Sequence, residues 1–197
     1  MAKEIIVKPL GITADLNGIT FKAVLEHFKL YEGYIKKINE IRTKIETVDK
    51  QLANATYSEI GELKRQESFA ADGVKLHEIY FSILGGNGES SGKVAQLINR
   101  DFGSLENWMA DMTAAGLSAR GWVILSYDLA DKSLHNYSAD AHNVGLVVGT
   151  IPLITLDVYE HAYFMDYGVN RKGYIEAFFK NLNWKKIDEI AEEHKIQ

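Results

Sequence analysis

The sequence predicts an α+β fold, in which an N-terminal antiparallel α-hairpin domain is followed by a C-terminal domain with a three-stranded antiparallel sheet surrounded by helices. Two observations predict this class. About the first 85 residues carry helical periodicity, whereas three β-rich runs interrupt the helical pattern in the second half. Residues 85–92 form a loop rich in residues that tolerate positive φ. We therefore expect one domain over residues 1–86 and a second over residues 87–197.

The first long helix is predicted from an apolar stripe whose members recur at alternating steps of three and four residues. Such a stripe must pack against another apolar surface. We expect this surface on a second helix over residues 58–84, which follows a polar turn and forms an antiparallel hairpin with the first helix. His77 lies on the inner face of this second helix with Gly73 and Tyr80. The stripe consists of Val24, His27, Tyr31, Tyr34, Ile38, Ile41, Ile45 and Val48.

The second half is predicted to contain two short helices, three strands and a helical C-terminal segment. These elements fall at residues 93–100 and 105–115 for the helices, 122–127, 133–138 and 146–156 for the strands, and beyond residue 157 for the last segment. Ser104 is the expected cap of the second short helix. A short polar run at residues 128–132 suits a hairpin between the first two strands. A turn at residues 168–170 divides the C-terminal helices, the last of which begins beyond Trp184.

The composition is that of an enzyme-sized chain, and it limits the available chemistry. The 197 residues are 46% hydrophobic and 25% charged, which is enough to bury a sizeable core. A net charge of -5 argues against a nucleic-acid partner. No run reaches the roughly 18 apolar residues of a membrane span, and no signal peptide is evident, so we expect a cytoplasmic protein without membrane contact. Because cysteine is absent, any metal must be bound through nitrogen and oxygen.

The most informative stretch is residues 156–168, where Asp157 and His161 stand four apart in an aromatic-rich segment. Asp157 follows a β-rich run, so we expect it at the end of a strand, with His161 about one helical turn further on. An aspartate and a histidine placed in this way can bind one metal ion together. The spacing alone leaves a second interpretation open, in which Asp157 caps the helix and His161 is a core histidine.

The motif Asp157-Val-Tyr-Glu-His-Ala-Tyr163 closely resembles the C-terminal signature of the iron/manganese superoxide dismutases. Further segments resemble the same family, and the similarity extends from about residue 19 to about residue 188. These further segments are residues 76–81, 101–108, 121–122 and 170–184. The resemblance implies that Asp157, His161 and His77 are metal ligands.

The resemblance also implies a fourth ligand on the first long helix, where two alignments differ by one residue. Counting back from Tyr34 places Glu26 at the ligand position, whereas counting forward from Thr20 places His27 there. His27 lies on the apolar stripe and Glu26 on the polar face, so helix geometry favours His27 and implies a one-residue deletion. Tyr31 then lines the pocket in place of the family's gateway histidine, and Tyr34 stands near the family's catalytic tyrosine.

Residues around the ligands match the family as well. His142 lies within a residue of the position where members carry a glutamine or histidine that hydrogen-bonds the metal-bound solvent, so a catalytic role is implied for His142. Trp122 matches a pocket aromatic, and Phe81 stands where the family usually has tryptophan. Gly73 stands where manganese members often have glycine and iron members glutamine, which favours a manganese-like architecture.

The implied function is that of a superoxide dismutase with one iron or manganese ion per chain, which converts superoxide to oxygen and hydrogen peroxide as the metal cycles between its 3+ and 2+ states. Glu160 and Tyr163 match an interface motif, which implies a homodimer. The choice between iron and manganese stays open. A different oxygen or peroxide reaction at the same site and a non-catalytic dimeric scaffold are the alternative functions. Tyr31 in the gateway position is expected to alter the delivery of protons and substrate.

Overall fold

The computed structural model describes residues 3–196 and confirms the predicted α-hairpin. Its elements are helix α1 (Phe21–Thr47), a short 3-10 turn (Lys50–Leu52) and helix α2 (Glu59–Ser82). Thr20 and Ser58 cap the two helices, because each side-chain hydroxyl accepts a backbone N–H of the first turn. The helices pack antiparallel along most of their length, as the apolar stripe requires.

Helix α1 buries the predicted stripe against α2. His27 and Tyr31 are 2% and 1% exposed, and Tyr34 is half-buried at the edge of the same face. Ile35 is also buried, although the predicted stripe omits it, because the apolar face of a packed helix is wider than a single seam. Val48 lies just beyond the helix as its C-cap.

The second half contains five helices and three strands, in the predicted order. They are α3 (Gly92–Phe102), α4 (Leu105–Ser118), β1 (Trp122–Asp128), β2 (Leu134–Ala139), β3 (Thr150–Asp157), α5 (Glu160–Tyr167), α6 (Arg171–Lys180) and α7 (Trp184–Glu193). The α+β fold class is therefore confirmed. Within residues 3–196, none of the helices combines the length and the apolar character needed to cross a membrane.

The strands form one antiparallel sheet in the order β2-β1-β3. The central strand β1 is buried along nearly its whole length, and its Trp122 pairs with Asp157 at the end of β3. Strand β3 begins at Thr150 rather than at the predicted residue 146. The reason is local, because Gly149 adopts a φ of 83°, a left-handed conformation that interrupts an extended strand.

The two halves of the chain meet where β3 ends. Thr155 Oγ1 in β3 donates a hydrogen bond to the backbone carbonyl of Leu76 in α2 over 3.0 Å. Just after α2, Leu84 forms an isolated backbone bridge with Leu182, which lies between α6 and α7. The end of β3 and the start of α5 therefore lie against the inner face of the hairpin. The domain boundary expected after residue 86 stays a prediction.

Candidate metal centre

Four side chains converge at the junction of the two halves. They are His27 from α1, His77 from α2, Asp157 from the end of β3 and His161 from the first turn of α5. One ligand-type atom of each lies within 4.8 Å of the others. The first three side chains are buried, and His161 is 28% exposed. Elements far apart in sequence thus bring three imidazoles and one carboxylate to one point.

The three imidazoles face the same carboxylate oxygen. The Nε2 atoms of His27 and His161 each lie 3.1 Å from Asp157 Oδ2, and His77 Nε2 lies 3.6 Å from it. The other oxygen, Asp157 Oδ1, accepts the backbone N–H of Tyr159 over 2.9 Å, which fixes the orientation of the carboxylate. The N-cap of α5 is Tyr159, so the interpretation of Asp157 as the helix cap is wrong.

The tautomer of His77 follows from its hydrogen bond. Its Nδ1 lies 2.6 Å from the backbone oxygen of Gly73, which can only accept, so Nδ1 carries the proton. The lone pair of Nε2 then points into the cluster. Among the described residues, His77 Nε2 is the one buried side-chain nitrogen or oxygen without a hydrogen-bond partner. An unpartnered buried atom of this kind is costly, and a bound metal ion would satisfy it, so the residues fit a metal.

The electrostatics favour the protonation states that metal ligands need. Burial lowers the pKa of His77 to about 3 and also holds the pKa of His27 below its usual value. Burial alone would raise the pKa of Asp157, but hydrogen bonds from His161 and His27 outweigh it and hold that pKa well below its ordinary value. At neutral pH the cluster therefore holds neutral buried imidazoles beside an ionised carboxylate, as metal binding requires.

The structure places His27, and not Glu26, in the cluster. Glu26 is exposed on the outer face of α1, where its carboxylate pairs with Lys29 Nζ at 2.7 Å. The polar and apolar faces of the helix separate these adjacent residues, as the periodicity predicts.

A hydrogen-bonded chain leads from the sheet to the edge of the cluster. Trp122 Nε1 donates to His142 Nδ1 over 2.9 Å, and His142 Nε2 lies 2.7 Å from the Tyr34 hydroxyl. Burial lowers the pKa of His142 to about 4 and raises the pKa of Tyr34 to about 12, so both groups are neutral near pH 7. The Tyr34 and His77 rings lie next to each other, with centroids 5.5 Å apart.

Gly73 leaves room for the hydrogen-bonded side chains of Tyr34 and His142. A Cβ atom on Gly73 would lie 3.1 Å from the Tyr34 ring and 3.3 Å from His142 Cδ2. A side chain at position 73 would therefore displace the Tyr34 and His142 rings. The His142 ring lies beside the backbone of α2, in the space that such a side chain would need.

Two of the predicted pocket residues differ in orientation. Phe81 packs edge-on against His27, with ring centroids 5.1 Å apart, and so walls the cluster. The Tyr31 hydroxyl instead accepts the backbone N–H of Lys8 over 3.0 Å and lies 3.1 Å from Glu78 Oε1, to which it donates. Tyr31 therefore ties the N-terminal segment to the hairpin.

The predicted interface residues of α5 differ in burial. Glu160 is exposed, whereas Tyr163 is 4% exposed and its hydroxyl accepts from Arg171 Nε over 3.2 Å. Two aromatics near the cluster had no predicted role. Tyr159 stacks on His161 at 5.2 Å, and Phe69 packs on His142 at 4.6 Å. Phe69 falls four residues before Gly73 on the inner face of α2, a spacing that could have indicated it.

Fold and site together define an α+β protein built around a site for one metal ion with nitrogen and oxygen ligands. The family model described as "Iron/manganese superoxide dismutases, C-terminal domain" matches residues 90–190. The curated relatives are similar over most of their length. The protein named superoxide dismutase (Fe) from Aquifex aeolicus is 44% identical over 184 residues, which cover 90% of this chain and 86% of that protein.

Two further relatives extend the comparison. The superoxide dismutase (Fe) of Cupriavidus metallidurans is 39% identical over 185 residues, covering 91% of this chain and 92% of that protein. The superoxide dismutase (Mn) 1 of Halobacterium salinarum is 34% identical over 170 residues, covering 85% and 83%. The chain belongs to the iron/manganese superoxide dismutase family, so the resemblance is confirmed.

Proposed function

We propose that the chain is a superoxide dismutase that binds one iron or manganese ion through His27, His77, Asp157 and His161. The observation that carries this proposal is the unpartnered His77 Nε2, which is aimed at the same carboxylate oxygen as the other two imidazoles. The names of the relatives supply the two candidate metals. Imidazole and carboxylate ligands without thiolate suit either metal.

When bound, iron or manganese supplies one-electron chemistry, with oxidation of one superoxide to oxygen in the 3+ state and reduction of a second superoxide to peroxide in the 2+ state. The peroxide leaves as hydrogen peroxide, so two protons must be delivered per cycle. Tyr34 is the proton donor at the cluster, since its hydroxyl keeps its proton at neutral pH and lies at the edge of the site.

His142 orients that donor. Trp122 Nε1 can only donate, so neutral His142 carries its proton on Nε2 and donates it to the Tyr34 oxygen. The hydroxyl hydrogen of Tyr34 is then free to point away from His142 and toward the pocket. Phe81 packs against the His27 ring and Trp122 against the His77 ring, so these two imidazoles are shielded from solvent.

We also propose that the protein is a homodimer through the exposed face of α5. His161 is 28% exposed, and on the same helix Phe164 and Met165 are each 51% exposed. A metal ligand and two large apolar side chains on one open face indicate that a second copy covers it. Glu160 is exposed beside His161, and in such a dimer we expect its carboxylate to meet the His161 ring of the second copy across a twofold axis.

The decisive experiment measures metal content and superoxide consumption on the same purified sample. Near-stoichiometric iron or manganese with rapid consumption is the expected result. Bound metal without consumption, but with turnover of peroxide or an organic substrate, would support a redirected redox site. A protein that takes up neither metal on reconstitution would contradict the enzyme and favour a scaffold.

A further inference from the structure

Two of the helices that carry candidate ligands are tied together away from the metal cluster. The backbone N–H of Thr20 donates to Asp166 Oδ2 over 2.8 Å, and the Thr20 hydroxyl donates to Asp166 Oδ1 over 2.8 Å. Thr20 is the N-cap of α1, which carries His27, and Asp166 lies in the last turn of α5, which carries His161. One carboxylate therefore holds the start of one ligand helix against the end of the other.

The Thr20 hydroxyl serves both contacts at once. While it donates to Asp166, its oxygen accepts the backbone N–H of Ala23 over 3.2 Å, the capping bond of α1. The negative charge of Asp166 also lies at the positive end of the α1 dipole. Next to this pair, the Tyr167 hydroxyl donates to the carbonyl of Gly18 over 2.6 Å. Two consecutive residues of α5 thus bind the segment that leads into α1.

A second contact holds the same segment from the C-cap of α6. The Asn181 side chain accepts the backbone N–H of Asn17 over 2.8 Å and donates to the carbonyl of Asn17 over 2.9 Å. Asn181 is 2% exposed, and its amide also donates to the carbonyl of Ala177 over 2.7 Å. This buried amide pairs with both backbone groups of one residue, so it fixes the position of the chain just before α1.

We propose that Thr20, Asp166 and Asn181 are positioning residues that set the distance between His27 and His161 and so control how firmly the metal is held. The inference rests on the proposed function, because it assumes that these histidines bind the metal. Thr20 lies seven residues before His27, about 10 Å along a rigid helix, and Asp166 lies five residues after His161. At this distance the Thr20–Asp166 hydrogen bonds do not contact the metal site, and they act on it through the positions of the two helices.

The test compares metal release from the holoprotein and its variants after addition of a strong chelator. Asp166→Ala removes the carboxylate and leaves the α1 cap intact, whereas Thr20→Val removes the hydroxyl and the cap. Loss of a group that hydrogen-bonds a metal ligand costs about 10- to 100-fold in metal affinity. Thr20 and Asp166 act through the helices and not on a ligand, so we expect the lower end of this range, with metal release about tenfold faster in each variant. Asp166→Ala breaks both hydrogen bonds to Thr20, including the one that Thr20→Val breaks, so the double variant should release metal faster than Asp166→Ala only by the effect of the lost cap.

Ser104→Ala is the matched control. Ser104 caps α4 by accepting the backbone N–H of Asn107 over 3.1 Å, and α4 carries no candidate ligand. This control should lower stability as a lost cap does and leave metal release unchanged. Amide hydrogen exchange in the first two turns of α1 should increase in Asp166→Ala but not in Ser104→Ala.

The failures of the two proposals are distinguishable. Metal release from Asp166→Ala within twofold of the control, with unchanged exchange in α1, would overturn the positioning role alone. Absence of metal from the unsubstituted protein would overturn the proposed function and the positioning role with it. If Thr20→Val does not fold, Asp166→Ala still decides, since Asp166 is half-buried at the surface and its loss opens no core cavity.

Discussion

Trp122 fixes the tautomer of His142. The indole Nε1 of Trp122 lies 2.9 Å from His142 Nδ1, and an indole nitrogen can only donate, so the imidazole proton is on Nε2, facing Tyr34. Strand β1 thereby controls a proton beside the candidate metal centre, although Trp122 is fully buried and bears no titratable group.

Trp122→Phe should remove the hydrogen bond that fixes the tautomer of His142 and leave the candidate ligands in place. The variant leaves His142 Nδ1 without its donor, which permits the other tautomer and costs about 1–3 kcal/mol in the free energy of unfolding. We expect superoxide consumption per bound metal to fall about tenfold, with metal content unchanged. Elemental analysis and rate measurements on one sample check this result. Unchanged consumption per metal would show that the tautomer of His142 does not matter.

His27→Ala and Glu26→Gln form a matched pair on α1. His27 lies in the cluster, so its loss should reduce metal content to a small fraction and lower superoxide consumption by more than the roughly 10- to 100-fold typical of an outer-shell partner. Glu26→Gln removes only an exposed pair with Lys29 and should leave metal content and activity unchanged. The opposite pattern in elemental analysis would restore the alternative alignment of the helix.

Gly73→Ala should perturb the Tyr34–His142 pair through crowding. The added methyl group would lie 3.1 Å from the Tyr34 ring, and overpacking of this kind costs about 1–3 kcal/mol, more than the helix propensity of alanine returns. Gly33→Ala is the control, because nothing lies within 4 Å of its Cβ, and it should stabilise the protein by about 0.4–1 kcal/mol. Denaturant unfolding measures both changes, and equal stabilisation would contradict the crowding.

Metal removal should lower the melting temperature. A metal that binds only the folded chain adds RT ln(1 + [L]/Kd) to the free energy of unfolding, about 4 kcal/mol at a thousandfold excess over Kd. Calorimetry before and after chelation measures the shift, and readdition of iron or manganese should reverse it. A melting temperature unaffected by chelation is the result expected of a scaffold without metal.

Acid should destabilise the metal-free protein. Burial holds the pKa of His77 at about 3 in the folded chain, compared with 6.5 for an exposed histidine. Between these values the unfolded chain binds more protons than the folded chain, so stability is present above about pH 6.5 and decreases as the pH falls below it. His142 contributes in the same direction between its folded pKa of about 4 and the ordinary value of 6.5, so His142→Gln should flatten that part of the profile. Denaturant unfolding at several pH values measures the slope, which would be absent if these imidazoles were protonated in the folded chain.

Local patterns were enough to predict the fold class. The stripe on α1 and the β-rich run before Asp157 reflect periodicities of single elements, and these held in the structure. The main error, the early start of β3, arose because β-branched residues around Val147 have strand propensity while Gly149 takes a left-handed conformation. Strand propensity depends on the type of side chain. Whether a glycine adopts a left-handed turn depends on the path of the backbone in the folded protein.

The sequence by itself determined which residues face the interior. His27 points inward and Glu26 outward because a helix has 3.6 residues per turn. Asp157 and His161 meet because Asp157 ends a strand and His161 lies in the first turn of the helix that follows directly. The tertiary structure alone decided what each polar atom contacts. The Tyr31 hydroxyl is 23 residues from Lys8 and 47 from Glu78, yet it bonds to both, and no periodicity encodes such pairings. Hydrogen bonds between distant segments are directional and short, so they are set by how the hairpin and the sheet pack together.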